Sequence, residues 1–540
     1  MQFAVESVSN GSSEISVSFR DLKHRCVRIL AAMAVAVIGG FAVSNGASGA
    51  PGTPHTAASN AGTYVALMPT RITDTRSGSG LPNAGNTLGP GGTINVQVDG
   101  DGGVPGNGVS AVVMNVTAVG ATAASYLTVY PEGTTQPAVA SLNFNAGETL
   151  SNLVTVPVGS QGGVSIYNHT GSTDVVVDVE GYYTTSPQAI GLYNPVDPLR
   201  VLGTLASGTS LGAGSSLPVT VVGGDTAVPL DASAVVANVT ASGSSGASYL
   251  TVYPAPGNGI PTPPTAANVN FVGGQIVGNR VVVPVGGNGQ IEVYNHVGSV
   301  KVDVDLYGYY TGNASELGSA FTPLTPTRFT DTRVGINGSI LGANADETFD
   351  FSGEGIAANA TALASNITAV AGGAPGYLTV YPAIDASPPT VGDVNFLADT
   401  VAQDFAFAPL NGGNVKIFSS SPDPVNIVID AFGYFSPPPP AVHVVANPAS
   451  VPADGMSTSF LTVTVTTGSG VAFDDPASLT TTPSVAGSCG IATATGSTNA
   501  FGQVTSTYTA STTPGTCTIT ATEANGGTTG SATITQTASS

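Results

Sequence analysis

The stretch SYLTVYP at residues 125–131 returns unchanged at 248–254 and a third time as GYLTVYP at 376–382. Other phrases recur around it in the same order. NVTA begins at Asn115 and again at Asn238, NITA begins at Asn366, and each copy closes on GYY or GYF. A period of about 125 residues is the size of a whole domain rather than one rung of a solenoid. The sequence therefore predicts three homologous domains, at 62–185, 190–312 and 319–436.

Within each copy the residue pattern is that of β-strands. SYLTVYP alternates so that Tyr126, Thr128 and Tyr130 share one face of a strand. Short runs of Val, Ile, Thr and Tyr, separated by Gly, Asn and Pro, follow every 8 to 15 residues. This predicts an all-β protein of tandem antiparallel β-sandwich or jelly-roll-like domains. Each copy is large enough to fold alone, and a single pseudo-threefold body is the alternative arrangement.

Positive charge is concentrated in one motif, PTRITDTR at 69–76 and PTRFTDTR at 326–333. The chain has only 12 Lys and Arg, and four of them precede residue 30. Five of the other eight belong to this motif or to its altered second copy, PLRVLGTL: Arg71, Arg76, Arg200, Arg328 and Arg333.

One cation and one anion recur in every copy within otherwise apolar strands. Because an unpaired buried charge is costly, we expect buried ion pairs that tie the first strand of each domain to the last. These are Arg71 with Asp178, Arg200 with Asp305, and Arg328 with Asp430.

A second charge pair occurs in two of the copies. Asp74 and Arg76 return as Asp331 and Arg333, whereas the second copy has Gly203 and Leu205 at these positions. Their joint loss predicts that they neutralise each other. The alternative is an anion or carboxylate site built from the two arginines, which the second copy would lack.

Signals for catalysis and metal binding are weak. No GxSxG, HExxH or P-loop pattern occurs. His169 and His296 recur at a hairpin tip and are interpreted as solvated turn residues, and Asp303 is interpreted as surface charge. Asp99 and Asp101 offer carboxylates to calcium, but a turn is the preferred interpretation. We therefore expect neither an enzyme nor a cofactor.

The net charge of −21 argues against binding to nucleic acid and to anionic membranes. Residues 1–50 combine a long basic segment, a short apolar run and small residues, which predicts a signal peptide. A retained anchor is the alternative. We expect a secreted or cell-surface protein with no membrane span in the mature chain.

Beyond a Pro-rich linker at 437–441, residues 442–540 form a Thr-rich module with alternating strands. An exported chain with Cys489 and Cys517 beyond its signal predicts one disulfide. SVPADGMST, GQVTSTYTAST and PGTCTITAT resemble bacterial immunoglobulin-like domains of the invasin and intimin type. The resemblance implies a β-sandwich spacer of surface adhesins. The three copies resemble a repeat of secreted actinobacterial proteins of uncharacterised function.

These observations favour a non-enzymatic surface protein, an adhesive stalk or binding array, whose partner is a cell-envelope or extracellular protein or a polysaccharide. The alternative function is carbohydrate binding through tyrosine faces with Asn and Asp in loops.

Overall fold

The computed structural model describes residues 61–184, 190–257, 259, 262–313, 318–438, 441–467, 470–471, 476–492, 496–499, 502–524 and 527–538. The predicted signal peptide lies outside these residues, and the predicted linker lies partly outside them. The chain folds as tandem antiparallel β-sandwiches followed by an immunoglobulin-like β-sandwich, so the predicted fold class is confirmed.

The first repeat has eight strands in two four-stranded antiparallel sheets. One sheet has the order β1-β8-β3-β6 and the other β2-β7-β4-β5, which is the strand order of a jelly roll. The strands are β1 Thr63–Asp74, β2 Thr93–Gln97, β3 Val109–Val119, β4 Ser125–Pro131, β5 Leu142–Phe144, β6 Thr149–Pro157, β7 Gly163–Asn168 and β8 Asp174–Thr184.

The second repeat has the same topology, with sheet orders β9-β16-β11-β14 and β10-β15-β12-β13. It also contains a short helix, α1, at Thr204–Ser207, and 3-10 turns at Gly224–Thr226 and Gly287–Gly289. Its strands are β9 Tyr193–Gly203, β10 Ser215–Thr220, β11 Ala234–Ser242, β12 Ser248–Pro254, β13 Val269–Phe271, β14 Val277–Pro284, β15 Gln290–Asn295 and β16 Lys301–Tyr310.

The third repeat again has two sheets, β17-β24-β19-β22 and β18-β23-β20-β21. Its strands are β17 Ala320–Asp331, β18 Asp346–Asp350, β19 Ala362–Ala371, β20 Gly376–Pro382, β21 Val394–Phe396, β22 Val401–Pro409, β23 Asn414–Ser419 and β24 Val425–Ser436.

The three repeats pack against one another in a closed ring rather than as separate beads, which is the second arrangement that the sequence left open. One buried apolar cluster contains residues from all three copies. Backbone hydrogen bonds also join the repeats: Gly62 N donates to Phe321 O, Tyr64 N to Gly191 O, and Tyr193 N to Ser319 O. The ring therefore closes from the third repeat back onto the first.

Aromatic side chains from the first and last strands of every repeat meet inside the ring. Tyr64 stacks on Tyr310 with ring centroids 4.3 Å apart, and Tyr183 stacks on Phe321 at 4.3 Å. The glycine of each closing GYY or GYF makes room for them. A Cβ on Gly181 would collide with the ring of Tyr64, and Gly308 and Gly433 meet Tyr193 and Phe321 in the same way.

The C-terminal module is a sandwich of two five-stranded sheets. One contains β25-β27-β32-β30 with β28 beside β27, and the other has the order β26-β34-β33-β29-β31. The strands are β25 Ala441–Asn447, β26 Ser450–Pro452, β27 Thr458–Thr467, β28 Gly470–Val471, β29 Pro476–Pro483, β30 Ile491–Ala492, β31 Gly496–Ser497, β32 Gln503–Thr509, β33 Gly515–Glu523 and β34 Thr529–Thr537.

Candidate functional site

The recurring arginine and aspartate are cross-strand neighbours in every repeat. Arg71 lies opposite Asp178 in the β1–β8 ladder, and its Nε and Nη2 donate to Oδ1 and Oδ2 at 2.8 and 3.1 Å. The two counterpart pairs have the same two-bond geometry: Arg200 with Asp305 at 2.8 and 2.9 Å, and Arg328 with Asp430 at 2.8 and 3.1 Å. The planar guanidinium matches both carboxylate oxygens at once.

Desolvation opposes the negative charge of the aspartate in each of these ion pairs. Burial raises the pKa of Asp178, Asp305 and Asp430 even though each accepts two bonds from a guanidinium. Buried ion pairs are in general a weak source of net stability. Two of these carboxylates also bind the next repeat, because Ala267 N donates to Asp178 at 3.2 Å and Ala140 N donates to Asp430 at 3.1 Å. The pairs position one repeat against another.

The second pair of the motif forms locally. Asp74 accepts from Arg76 Nε at 2.9 Å and from its backbone N at 3.1 Å, and Asp331 accepts from Arg333 at 2.8 and 3.2 Å. Both aspartates are buried. Although burial opposes it, the hydrogen bonds from Arg76 lower the pKa of Asp74.

Asp303 is not a surface charge, and that interpretation was wrong. It is 5% exposed, and its Oδ2 lies 3.1 Å from Arg200 Nη1. It lies directly opposite Gly203, the residue that replaces Asp74 in this copy. In the second repeat the carboxylate is therefore supplied by the last strand, β16, whereas in the first repeat it is supplied by the first strand, β1. Comparison of the copies along one strand alone cannot detect this exchange.

A ring of buried amides joins the three repeats, and the sequence analysis did not predict it. The asparagine of NVTA or NITA donates to a backbone carbonyl of the next repeat in each case: Asn115 to Ala267, Asn238 to Gly392, and Asn366 to Ala140. The recurrence of this residue inside an apolar strand was the available signal.

A second set of equivalent side chains lies on the edge strands β6, β14 and β22. Each accepts from a backbone N–H of another repeat: Asn152 from Phe405 at 3.1 Å, Asn279 from Leu153 at 2.9 Å, and Asp404 from Arg280 at 2.9 Å. The amides of Asn152 and Asn279 also donate to Asn366 and Asn115, both at 2.8 Å.

The third member of this set departs from the pattern, because a carboxyl group has no amide donor. Asp404 Oδ2 and Asn238 Oδ1 are both buried without a hydrogen-bond partner among the described residues. Burial raises the pKa of Asp404 to about 7. The Asp404 carboxyl would replace the missing amide donor if it carried a proton.

Each junction between repeats has its own set of side chains at equivalent positions. Between the first and second repeats, Glu180 accepts from Val282 N at 3.0 Å and from Asn268 Nδ2, and burial raises its pKa to about 8. At the junction between the third and first repeats, Phe432 stands at the position of Glu180 and Phe405 at the position of Leu153. The ring centroids of these two phenylalanines lie 5.6 Å apart.

The junction between the second and third repeats contains a fully buried cation. Arg280 is 1% exposed, pairs with Asp393, and lies 3.7 Å from the ring centroid of Tyr307. Its Nε donates to Phe405 O at 3.1 Å. The available signal was that this arginine replaces Leu153 and Phe405 of the other copies, while Asp393 and Asp404 replace uncharged residues.

A cleft of about 330 Å³ opens between the first and second repeats. Its lining includes Arg71, Arg76, Thr117, Tyr249 and Asn270. Both arginines of the motif therefore do meet in one concave site, although each is already bonded to an aspartate.

The two hairpin histidines stack on tyrosines of SYLTVYP. His169 lies 4.7 Å from the ring of Tyr126, and His296 lies 4.6 Å from Tyr249, with nearly parallel planes in both pairs. His169 is half-buried and His296 is exposed. The third repeat has Ser420 at this position.

Within the described ranges, no group of three or more His, Cys, Asp or Glu residues is placed to hold a metal ion. Asp101 Oδ1 accepts from Gly102 N at 2.7 Å. No helix in this part of the chain is both long and apolar enough to cross a membrane. In the C-terminal sandwich, Cys489 and Cys517 form a disulfide.

Comparisons with known proteins give little sequence similarity. No family model and no curated protein matches the chain. Among solved structures, the D0-D1 domain of intimin is 17% identical and covers 35% of this chain and 89% of its own, with a TM-score of 0.16. The D00-D0 domain of intimin is 15% identical, covers 36% of this chain and 94% of its own, and has a TM-score of 0.18.

Proposed function

We propose that this protein is a non-enzymatic, exported surface protein whose three-repeat body binds an envelope or extracellular partner. The observation that carries the proposal is the use of its charges. The recurring carboxylates Asp178, Asp305 and Asp430 are bonded to arginine, and two of them also to the neighbouring repeat. Charged groups committed to packing in this way hold surfaces in place rather than exchange protons with a substrate.

Export is supported by the disulfide between Cys489 and Cys517 in the C-terminal sandwich. Disulfides persist in oxidising compartments and are rare in the cytosol. The immunoglobulin-like sandwich would act as a spacer, and the body as the part that makes contact.

The closed ring also suits multivalent binding. Equivalent surfaces of the three repeats are held at fixed positions, so a repetitive ligand can engage more than one of them. Such linkage multiplies weak affinities by about 10²–10⁴ in general.

The test is co-sedimentation of the chain from residue 51 with purified bacterial envelopes and with insoluble polysaccharides. The proposal expects saturable binding to at least one of these materials. Absence of binding to every one of them, together with binding to a soluble protein partner, would restrict the function to protein adhesion. Turnover of a substrate would contradict the non-enzymatic proposal.

Carbohydrate binding is the second candidate, and one repeated feature favours it. The stacked pairs Tyr126–His169 and Tyr249–His296 occupy the same place in two repeats, and Tyr249–His296 is the more exposed pair because Tyr126 is buried. A planar aromatic surface with a polar edge is suited to a ligand that has one apolar and one polar side. Soluble sugars should then compete with binding to the insoluble polysaccharide.

A further inference from the structure

We propose that the cleft between the first and second repeats binds a neutral sugar residue of a polysaccharide. This inference rests on the carbohydrate-binding candidate above and assigns it a site. The residues that carry it are Arg71, Arg76, Thr117, Thr149, Tyr249 and Asn270.

The size of the cleft fits one sugar residue. Its volume of about 330 Å³ lies at the lower end of the range of about 300–1,000 Å³ for small-molecule sites. A cleft at a junction between domains is also a common location for such sites.

The charge of the cleft favours hydroxyl groups over a free anion. Arg71 donates hydrogen bonds from its Nε and Nη2 to Asp178, and Arg76 donates from the same two groups to Asp74. The two cations are thus matched by two carboxylates. The Nη1 groups remain as donors, and the hydroxyls of Thr117 and Thr149 can both donate and accept. A sugar hydroxyl, which also donates and accepts, matches this surface.

Tyr249 supplies an aromatic wall. Its ring is held by the parallel His296 at 4.6 Å and is partly exposed. Arg71 is close enough to act electrostatically on its hydroxyl. A sugar ring has an apolar C–H face beside its hydroxyl edge, so it can contact Tyr249 and the paired arginines together.

The corresponding places at the other junctions differ in ways that matter for a ligand. The second repeat has Leu205 in place of Arg76. At the junction between the third and first repeats, the side chain of Arg333 is 24% exposed, against 46% for Arg76. The tyrosine equivalent to Tyr249 at this junction is Tyr126 of the first repeat, which is only 6% exposed. At the first junction both arginines line an open cleft.

The experiment is saturation-transfer NMR on the chain from residue 51 with glucose, galactose, mannose, N-acetylglucosamine and glucuronate. The cleft variants are Tyr249→Ala and the double variant Asp74→Gly/Arg76→Leu, which has the residues of the second repeat. The matched control is Asp331→Gly/Arg333→Leu, which makes the same change in the third repeat. Thermal melts establish that each variant is folded.

We expect saturable binding of at least one neutral sugar to the parent chain. Both cleft variants should bind this sugar with an affinity at least tenfold lower, and the control should bind it with unchanged affinity. The proposal is overturned if no neutral sugar binds, if only glucuronate binds, or if folded cleft variants bind as well as the parent chain. Envelope binding that persists in the Tyr249→Ala variant would leave the surface-binding function standing while removing this site from it.

Discussion

Asp303 lies directly across the β9–β16 ladder from Gly203 and places its carboxylate 3.1 Å from Arg200 Nη1. In the first repeat the same two ladder positions hold Val176 and Asp74, and Asp74 lies 3.9 Å from Arg71 Nη1. The recurring arginine therefore has two carboxylates near it in both repeats, although the second carboxylate comes from different strands. A second carboxylate near the guanidinium is retained, while the residue that supplies this carboxylate changes.

The first prediction tests this exchange. Asp303→Val should destabilise the second repeat by about 1–3 kcal/mol, because Arg200 loses a carboxylate and Leu205 N loses its acceptor. Adding Gly203→Asp to this variant should recover part of the loss, since it recreates the arrangement of the first repeat. Urea unfolding followed by circular dichroism gives the comparison. A double variant no more stable than the single one would show that the two positions are not interchangeable.

A second prediction concerns the proton on Asp404. The pKa of this buried carboxyl is raised to about 7, against about 4 in an unfolded chain. Its contribution to stability is therefore fully present below about pH 4 and is lost as the pH rises through about 7. Arg280 and Asp393 are the charged groups that face it.

Asp404→Asn should remove this loss, because an amide donates to Asn238 Oδ1 at every pH, as Asn152 does to Asn366. At pH 9 the variant should be more stable than the parent by on the order of 2–4 kcal/mol. The reverse change, Asn152→Asp, should add the same pH dependence at another junction. Melting temperatures measured from pH 5 to 9 test both, and parallel pH profiles of parent and Asp404→Asn would contradict the assignment.

The third prediction concerns the buried cation. Arg280→Phe should cost about 3–5 kcal/mol, because it leaves Asp393 buried without its counter-charge. Replacing the whole set by that of the junction between the third and first repeats should restore stability. This quadruple variant is Arg280→Phe, Tyr307→Phe, Asp393→Ser and Asp404→Asn. Chemical denaturation gives the free energy of unfolding of the single and quadruple variants. A quadruple variant more stable than the single variant would show that the four side chains act as a matched set, and one that is less stable would contradict this.

The fourth prediction is for the C-terminal sandwich. Reduction of the bridge between Cys489 and Cys517, which are 28 positions apart, should destabilise this domain by about 3–4 kcal/mol. The three-repeat body contains no cysteine, so its transition should not move. Calorimetry with and without reductant tests this. Movement of both transitions by the same amount would show that the domain and the body unfold together.

Most features that lie within one repeat could be predicted from the sequence. Alternation in SYLTVYP predicts a strand, and the residue at each of its positions has a counterpart in all three copies. Arg71 and Asp178 stand out because charge is rare around them. Asp303 was misinterpreted because its partner is set by the ladder register, which no single strand reveals.

Features between repeats were harder to predict. The side-chain amide of Asn115 donates to the backbone carbonyl of Ala267. Because every residue type has a backbone carbonyl, the sequence does not indicate which residue accepts this bond. Arg280 did carry a signal, since it stands where the other copies have apolar residues. Its meaning depends on Asp393, which belongs to another repeat, so it becomes visible only when the ring is closed.

The closure of the ring has a mechanical consequence. Gly62, near the start of the body, is bridged to Phe321, and Phe321 lies opposite Phe435, near its end. The chain therefore enters and leaves the body about two strand spacings apart, roughly 10 Å. Tension along the polypeptide passes from Gly62 to Phe435 through β17, and most other strands of the body lie outside this path. A pull on the two ends of the body would thus load one short path through the third repeat, and most strands of the first and second repeats would lie outside that path.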